Sequence, residues 1–277
     1  MSTNIDHHTV DGFGYEWSTF DQSDVSDAEL KEIFNSYFSI FDWSKITDKS
    51  IGFDMGCGSG RWARLVSPRV GCLHLVDASK DALKTAKNNL NKEKNCTFHL
   101  ASVDALPFED ESMDFGYSLG VLHHIPDTQA ALTSCVAKLK PGAPFLAYFY
   151  YAFDNRPQWF QILWKISDYG RKGISKLPNN VKYILTQVIA AVIYWPLARI
   201  AKGLEKMGVK VDVIPLSAYR NNTFYTMRTD AFDRFATRLE QRFTRHELQK
   251  MMEKSGLEGI LFSETTPFWC CMGYKRA

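Results

Sequence analysis

At 277 residues the chain exceeds one ordinary domain, which predicts a single core carrying an elaboration rather than two independent folds. Hydrophobic residues make up 45% and charged residues 23%, a composition that excludes a disordered, collagenous or coiled-coil chain. A formal net charge of +2 is too weak a field to hold a nucleic acid, so a small molecule is the expected partner.

The six cysteines are scattered without a C-x-x-C pair, and only Cys270 and Cys271 are adjacent. Neither a zinc cluster nor a secreted disulfide framework is expected from that spacing, and no metal site. The first residues are polar and acidic, with no basic stretch leading into an apolar run, so the expected setting is a reducing cytoplasm.

In chain order, residues 1–45 hold an aromatic cluster, Phe13-Gly14-Tyr15-Glu16-Trp17, too dense for a solvated tail. It reads either as a staple for the next helix or as a flap over a bound ligand. Leu30, Ile33, Phe34, Tyr37, Phe38 and Phe41 fall at helical spacing and predict a helix over 27–41, with Ser26 or Asp27 as N-cap. Residues 51–60 then organise the chain. A short apolar run ends in Asp54, and Gly56, Gly58 and Gly60 follow at every second position. Such a run turns a buried strand sharply into a helix, here 61–66. Without a Cβ, glycine lets a ligand approach the backbone, beside the unpaired N–H groups of the helix start.

A second strand, 73–77, ends on Asp77, about twenty residues beyond the glycines, where a nucleotide-binding βαβ unit holds ribose hydroxyls. A helix over 79–91, a strand over 96–101 with Asp104 beyond it, and a strand over 113–119 follow. The loop His123-His124-Ile125-Pro126-Asp127 leads into a helix over 128–139 that stops at Pro141-Gly142, and a fifth strand spans 145–151. This alternation predicts an α/β doubly wound, mostly parallel sheet with ligands beyond the strand carboxyl ends. Residues 152–243 break it with a mainly helical insertion after strand five, punctuated by Pro157, Pro178, Pro196 and Pro215. Within it, 183–201 is apolar, but Thr186, Gln187, Arg199 and an interrupting Pro196 predict a buried or interfacial helix rather than a membrane span; peripheral membrane contact stays open. Thr244 and Glu247 form a capping box for a helix over 244–255. Strands over 256–263 and 268–275 close the chain as an antiparallel hairpin, the sixth and seventh strands.

Asp54-x-Gly56-x-Gly58-x-Gly60, Asp77, Asp104 and the closing hairpin together resemble a class I S-adenosylmethionine-dependent methyltransferase, over 51–151 and 244–277. Val103-Asp104-Ala105-Leu106-Pro107-Phe108 and the Leu119–Asp127 segment resemble the ubiquinone/menaquinone-biosynthesis-like branch acting on small molecules. The resemblance implies a Rossmann-like core over 46–151 and 244–277, with S-adenosyl-L-methionine as cofactor. It implies that Asp54, Gly56, Cys57, Gly58 and Gly60 seat the methionine end, that Asp77 with Ala78 takes the ribose, and that Val103, Asp104, Ala105 and Leu106 take the adenine. Leu119 and Gly120 would lie beside the transferring methyl, and Trp17 would belong to a flap over the cofactor.

A general base is needed only if the acceptor carries a proton. His124, His123 and Tyr15 are the candidates, with Tyr151 and Tyr219 weaker ones; each histidine alternatively caps the next helix or bonds a backbone carbonyl. The aromatic-rich insertion reads as a substrate lid for an apolar or aromatic acceptor, or as a core of its own. Arg220, Arg228 and Arg234 either bind an anionic group of the acceptor or pair with Asp230, Asp233 and Glu240. Two other functions share these features: a nicotinamide-dependent oxidoreductase, and a cofactor-binding interaction subunit without transfer activity.

Overall fold

The structure, a computed structural model, describes residues 4–22 and 24–277; residues 1–3 and 23 of the expected flap lie outside the described residues. Seven strands form one sheet: β1 (Ile51–Met55), β2 (Cys72–Asp77), β3 (Cys96–Leu100), β4 (Phe115–Leu119), β5 (Pro144–Tyr148), β6 (Leu257–Phe262) and β7 (Cys270–Lys275). Their order is β3-β2-β1-β4-β5-β7-β6, parallel from β3 to β5 and antiparallel where β7 pairs β5 and β6. The strand order reverses between β1 and β4, which opens the crevice of a doubly wound sheet at the carboxyl ends of those two strands. The final hairpin folds back so that β7, not β6, is the inner strand.

Two glycines at the sheet centre are there for packing. Gly52 lies opposite Phe115, and Phe53 opposite Gly116. A Cβ on Gly52 would fall 2.2 Å from the Phe115 ring, and one on Gly116 would fall 2.4 Å from the Phe53 ring. Each fully buried phenylalanine thus lies flat over its neighbour's glycine, and the core reaches close packing there.

The helices are α1 (His7–Thr19), α2 (Asp27–Tyr37), α3 (Ala63–Val66), α4 (Lys80–Asn89), α5 (Thr128–Ala137), α6 (Gln158–Ile174), α7 (Asn179–Ile189), α8 (Trp195–Lys206), α9 (Phe224–Ala236) and α10 (Arg245–Lys254). The aromatic cluster at 13–17 turns out to be part of a helix, α1. Two glycines hide its helical pattern, while Asp6 caps it by accepting from Thr9 N at 2.9 Å. Ser26 caps α2, accepting from Glu29 N at 3.2 Å. That helix stops at Tyr37 rather than 41 because its end tightens into a turn closed by Phe41 N to Phe38 O, which still buries both rings. β4 and β5 are shorter than expected, and Met113 and Tyr151 keep only isolated bridges, to Leu139 and Phe243. The capping box at Thr244 and Glu247 is formed.

The chain divides into two compact units, the first made of residues up to Gln22, Leu30–Ala152 and Leu239–Ala277, the second of the segment ending at Glu29 and Phe153–Arg238. In the second unit Pro196 does not interrupt the apolar helix. A π-helical turn at Ala190–Tyr194 precedes it, and the proline sits in the first turn of α8, where its missing N–H is tolerated, so Asn179–Lys206 runs as one helix. That helix is long and apolar enough to cross a membrane by length and composition. Ala190, Tyr194 and Ala198 pack against Met227 and Ala231 of α9, the alanines letting the two helices approach closely.

Candidate cofactor and acceptor site

β1 delivers Asp54, 1% exposed, into a turn that reverses direction three times through left-handed glycines, with φ of +79° at Gly56, +54° at Gly58 and +76° at Gly60. Two features tie this turn to β2. Gly56 N and Cys57 N both donate to Val76 O, at 2.8 and 3.1 Å. Gly58 N donates to Asp77 Oδ2 at 2.9 Å, and Ser79 N donates to Asp77 Oδ1 at 2.8 Å. Asp77 is therefore not the N-cap of α4; Ser79 takes that place, its hydroxyl accepting from Ala82 N. Each carboxylate oxygen keeps a further lone pair for another donor. Burial raises the Asp77 pKa, against the pull of those backbone N–H groups.

Burial also pushes the Asp54 pKa up to about 8, with the neighbouring Asp77 charge adding and Tyr117 and Arg61 opposing. Its Oδ2 closes no hydrogen bond of good geometry among the described residues. Burial of the charged form is costly without a partner, so this carboxyl stays protonated at neutral pH in the ligand-free protein. The neighbouring Cys57 is also buried, and burial and the two aspartates hold its thiol far above the ordinary range, so it is not a nucleophile.

α1 closes over this turn. A Cβ on Gly58 would lie 2.8 Å from the Trp17 ring, and the Arg61 guanidinium stands 5.5 Å from the same ring. Gly14 of α1 meets Ser79, since a Cβ there would fall 2.6 Å from the Ser79 hydroxyl. Asn89 Nδ2 donates to Asp21 O and to Ser59 O, joining the end of this segment to the turn. At the other end, Asn4 N donates to Asp104 Oδ2 at 3.2 Å, and the Asn4 side chain pairs with both backbone groups of Asp127.

Asp104 occupies a 3-10 turn, Val103–Ala105, where the Ser102 hydroxyl holds its carboxyl below the usual range. Asp104 and Ala105 are exposed, whereas Val103 and Leu106 are buried in the main core. At the end of β4, Leu119 is buried, and Gly120 (φ +81°) donates its N–H to Tyr148 O. A Cβ on Gly120 would meet nothing closer than the Tyr148 ring at 4.0 Å, so the space there is open. Ala78 is half-buried beside Asp77.

His123 and His124 occupy a 3-10 turn, Leu122–His124. His123 is wholly buried, its ring 4.0 Å from His124 and 4.1 Å from Tyr150, and burial holds it far below the usual histidine range. Neither histidine caps α5; Asp127 does, accepting from Ala130 N. His124 instead takes the carbonyl alternative, its Nδ1 lying 2.6 Å from Leu239 O, with the Phe13 ring edge-on at 5.0 Å. A carbonyl only accepts, so Nδ1 carries a proton, and in the neutral form of the ring the lone pair is on Nε2. Tyr15 is half-buried on α1, two residues before Trp17.

Sequence reasoning missed the segment 239–243, which returns 115 residues later to lock this loop. Gln241 N donates to His123 O, and Gln241 Nε2 to Ile125 O and Thr128 Oγ1. Glu240 pairs with Arg242 at 2.7 Å, their side chains only 2% and 12% exposed. Among the arginines of the insertion, Arg220 pairs with Glu205 at 2.8 Å, Arg228 donates to the Tyr183 hydroxyl, and Arg234 donates to Ser167. Tyr151 packs with Phe268 and Trp269, and Tyr219 with Tyr194. No group of three or more histidine, cysteine or acidic residues among the described residues is placed to hold a metal ion.

Comparison with known proteins agrees with this geometry. The methyltransferase domain family matches residues 53–147. Phosphoethanolamine N-methyltransferase 2 of Caenorhabditis elegans is 36% identical over 100 residues, which are 35% of this chain and 23% of that protein. Ubiquinone biosynthesis O-methyltransferase of Coxiella burnetii is 27% identical over 90 residues, 32% of this chain and 38% of that protein. The chain thus spans well under half the length of these relatives. Among solved structures, phosphoethanolamine N-methyltransferase 2 of Haemonchus contortus, in complex with phosphomonomethylethanolamine and S-adenosylhomocysteine, aligns with a TM-score of 0.51 at 17% identity. The alignment covers 94% of this chain and 44% of that one. Residues 53–147 match the methyltransferase domain family, and the mixed seven-stranded sheet built around them has the Rossmann-like fold shared with solved methyltransferase structures.

Proposed function

We propose that this chain transfers a methyl group from S-adenosylmethionine to a nitrogen, oxygen or carbon atom of a small, apolar or aromatic molecule. The observation that carries the reading is the buried Asp54 carboxyl at the head of a turn of left-handed glycines, inside the segment that matches the methyltransferase domain family. The cofactor supplies an already activated methyl on a sulfonium, so the protein's share is alignment and exclusion of water. Asp54 faces the ammonium group, and Gly56, Cys57, Gly58 and Gly60 offer backbone to the methionine end. Asp77, beside Ala78, accepts from the ribose, and Val103, Asp104 and Ala105 form the adenine end. Leu119 and Gly120 leave room at the methyl, and Trp17 covers the turn.

His124 is the base on this reading. Its Nδ1–H bond to Leu239 O fixes the tautomer that leaves Nε2 to take the acceptor's proton. His123 positions it from beneath, and Tyr15 orients the acceptor. On this reading residues 152–243, where the chain leaves the first unit just after β5 and re-enters it at Leu239, are the substrate lid, and 1–45 are the flap. Six cysteines without a disulfide fit a cytoplasmic setting.

Calorimetry with S-adenosylmethionine, S-adenosylhomocysteine and NAD tests the cofactor; binding of NAD alone would overturn the reading. Labelled methyl transfer to a primary amine such as phosphoethanolamine and to a hydroxylated quinone precursor tests the acceptor class. His124→Asn keeps a donor toward Leu239 O but removes the base. It is expected to lower turnover by about 10²-fold or more at unchanged cofactor affinity; an unaltered rate would remove His124 from the chemistry.

A further inference from the structure

We propose that the apolar surface left exposed by α6, α7 and α8 docks onto an anionic phospholipid bilayer. Exposed large hydrophobic side chains are concentrated in this part of the second unit. On α6, Trp159, Ile162, Leu163 and Ile166 recur at helical spacing and are 48–63% exposed. Along α7 and its continuation, Val181, Ile184, Leu185, Val188 and Val192 form a second stripe, 37–63% exposed. Only 28% of the most apolar window of the Asn179–Lys206 helix is buried. At ~1.5 Å per residue this helix is about 42 Å long, so the uncovered surface far exceeds the scattered apolar residues of an ordinary protein face.

Charge identifies the occupant. Between residues 158 and 210 there are nine of the chain's 33 basic residues but only two of its 31 acidic ones, leaving 24 against 29 elsewhere. Both acids are already neutralised: Asp168 by Arg171 and Lys172, at 2.6 and 2.9 Å, and Glu205 by Arg220 at 2.8 Å. Exposed Lys165, Lys176, Lys206 and Lys210 remain around the apolar stripes. A second copy of the same surface would bring like charges together. A lipid surface with negative headgroups over hydrocarbon matches both properties, as do the exposed rings of Trp159, Tyr169 and Trp195 at such a boundary.

The helix lies on the bilayer rather than crossing it. Its other side, with Thr186, Ala190, Tyr194 and Ala198, is buried, and it packs on α9. Arg199 is bonded to the carbonyls of Arg220 and Asn222, contacts that a spanning helix would lose.

The test is co-sedimentation of the full chain with phosphatidylcholine vesicles, with and without phosphatidylglycerol. Binding is expected to be at least about tenfold tighter with phosphatidylglycerol and to weaken with salt. Ile166→Asp with Ile184→Asp should lower it about tenfold, and so should Lys165→Glu with Lys176→Glu and Lys206→Glu, with the circular dichroism spectrum unchanged because all five side chains are exposed. Absence of binding, equal binding to neutral vesicles, or binding indifferent to these substitutions overturns the proposal. So does a dimer in sedimentation velocity that the isoleucine substitutions dissolve, or resistance to alkaline extraction from the vesicles, which would mark a span.

Discussion

On the proposed function, Asp54 is a single buried group that couples cofactor binding to pH. Held at about 8 by burial, it is protonated in the ligand-free protein at neutral pH, whereas an ammonium group requires the carboxylate. Binding of S-adenosylmethionine must therefore release a proton, and affinity should rise as pH rises, by up to about tenfold per unit between pH 6 and 7.5, before the ligand's own amine begins to lose its charge. Calorimetry in buffers of different ionisation enthalpy reads the released proton directly, and Asp54→Asn should flatten the profile. A flat profile in the native protein would mean that Asp54 does not meet the ammonium. The turn that brings Asp54, the glycines and Asp77 together was legible in the sequence because it depends on local spacing. Asn4, Leu239 and Gln241 were not, because each acts across 100 residues or more through a backbone group or an amide side chain that leaves no pattern.

Among the elements, α1 gives the sharpest contrast between local preference and tertiary contact. It contains two glycines, Gly12 and Gly14, that weaken its helical signature, yet only one is required. A Cβ on Gly12 would meet nothing within 4 Å, while one on Gly14 would strike the Ser79 hydroxyl that caps α4. Gly12→Ala is expected to stabilise the protein by about 1 kcal/mol in urea unfolding through helix propensity and reduced unfolded-state entropy. Gly14→Ala should forfeit that gain, because the hydroxyl cannot move without surrendering the cap, worth about 1 kcal/mol. Equal gains from the two substitutions would show that α1 is not seated on α4. The same logic explains why the continuity of α7 with α8 escaped the sequence: a proline normally signals a break, and the π-helical turn that absorbs it has no composition of its own.

For the whole molecule, the buried titratable groups set opposing limits on stability. His74, His99 and His123 are held below the usual range, mainly by burial, so the unfolded chain gains protons that the fold refuses. Their contribution is present above about 6.5 and is lost as pH falls below it. Asp42, Asp104 and Asp168, held low in the fold, add further losses in stronger acid. Asp54 works the other way: its raised pKa favours the protonated fold, a contribution lost progressively as pH rises toward about 8. Ligand-free stability should therefore peak near pH 6.5, falling on both sides, as the urea midpoint between pH 5 and 8 would record, below the range where the buried thiols, also held above their ordinary value, add their own alkaline loss. Within that window Asp54→Asn should remove most of the alkaline fall and leave the acid limb in place, because the asparagine has no proton to lose. If the alkaline fall survives that substitution, the carboxyl at the head of the glycine turn is not the group that the ligand-free fold is built to keep neutral.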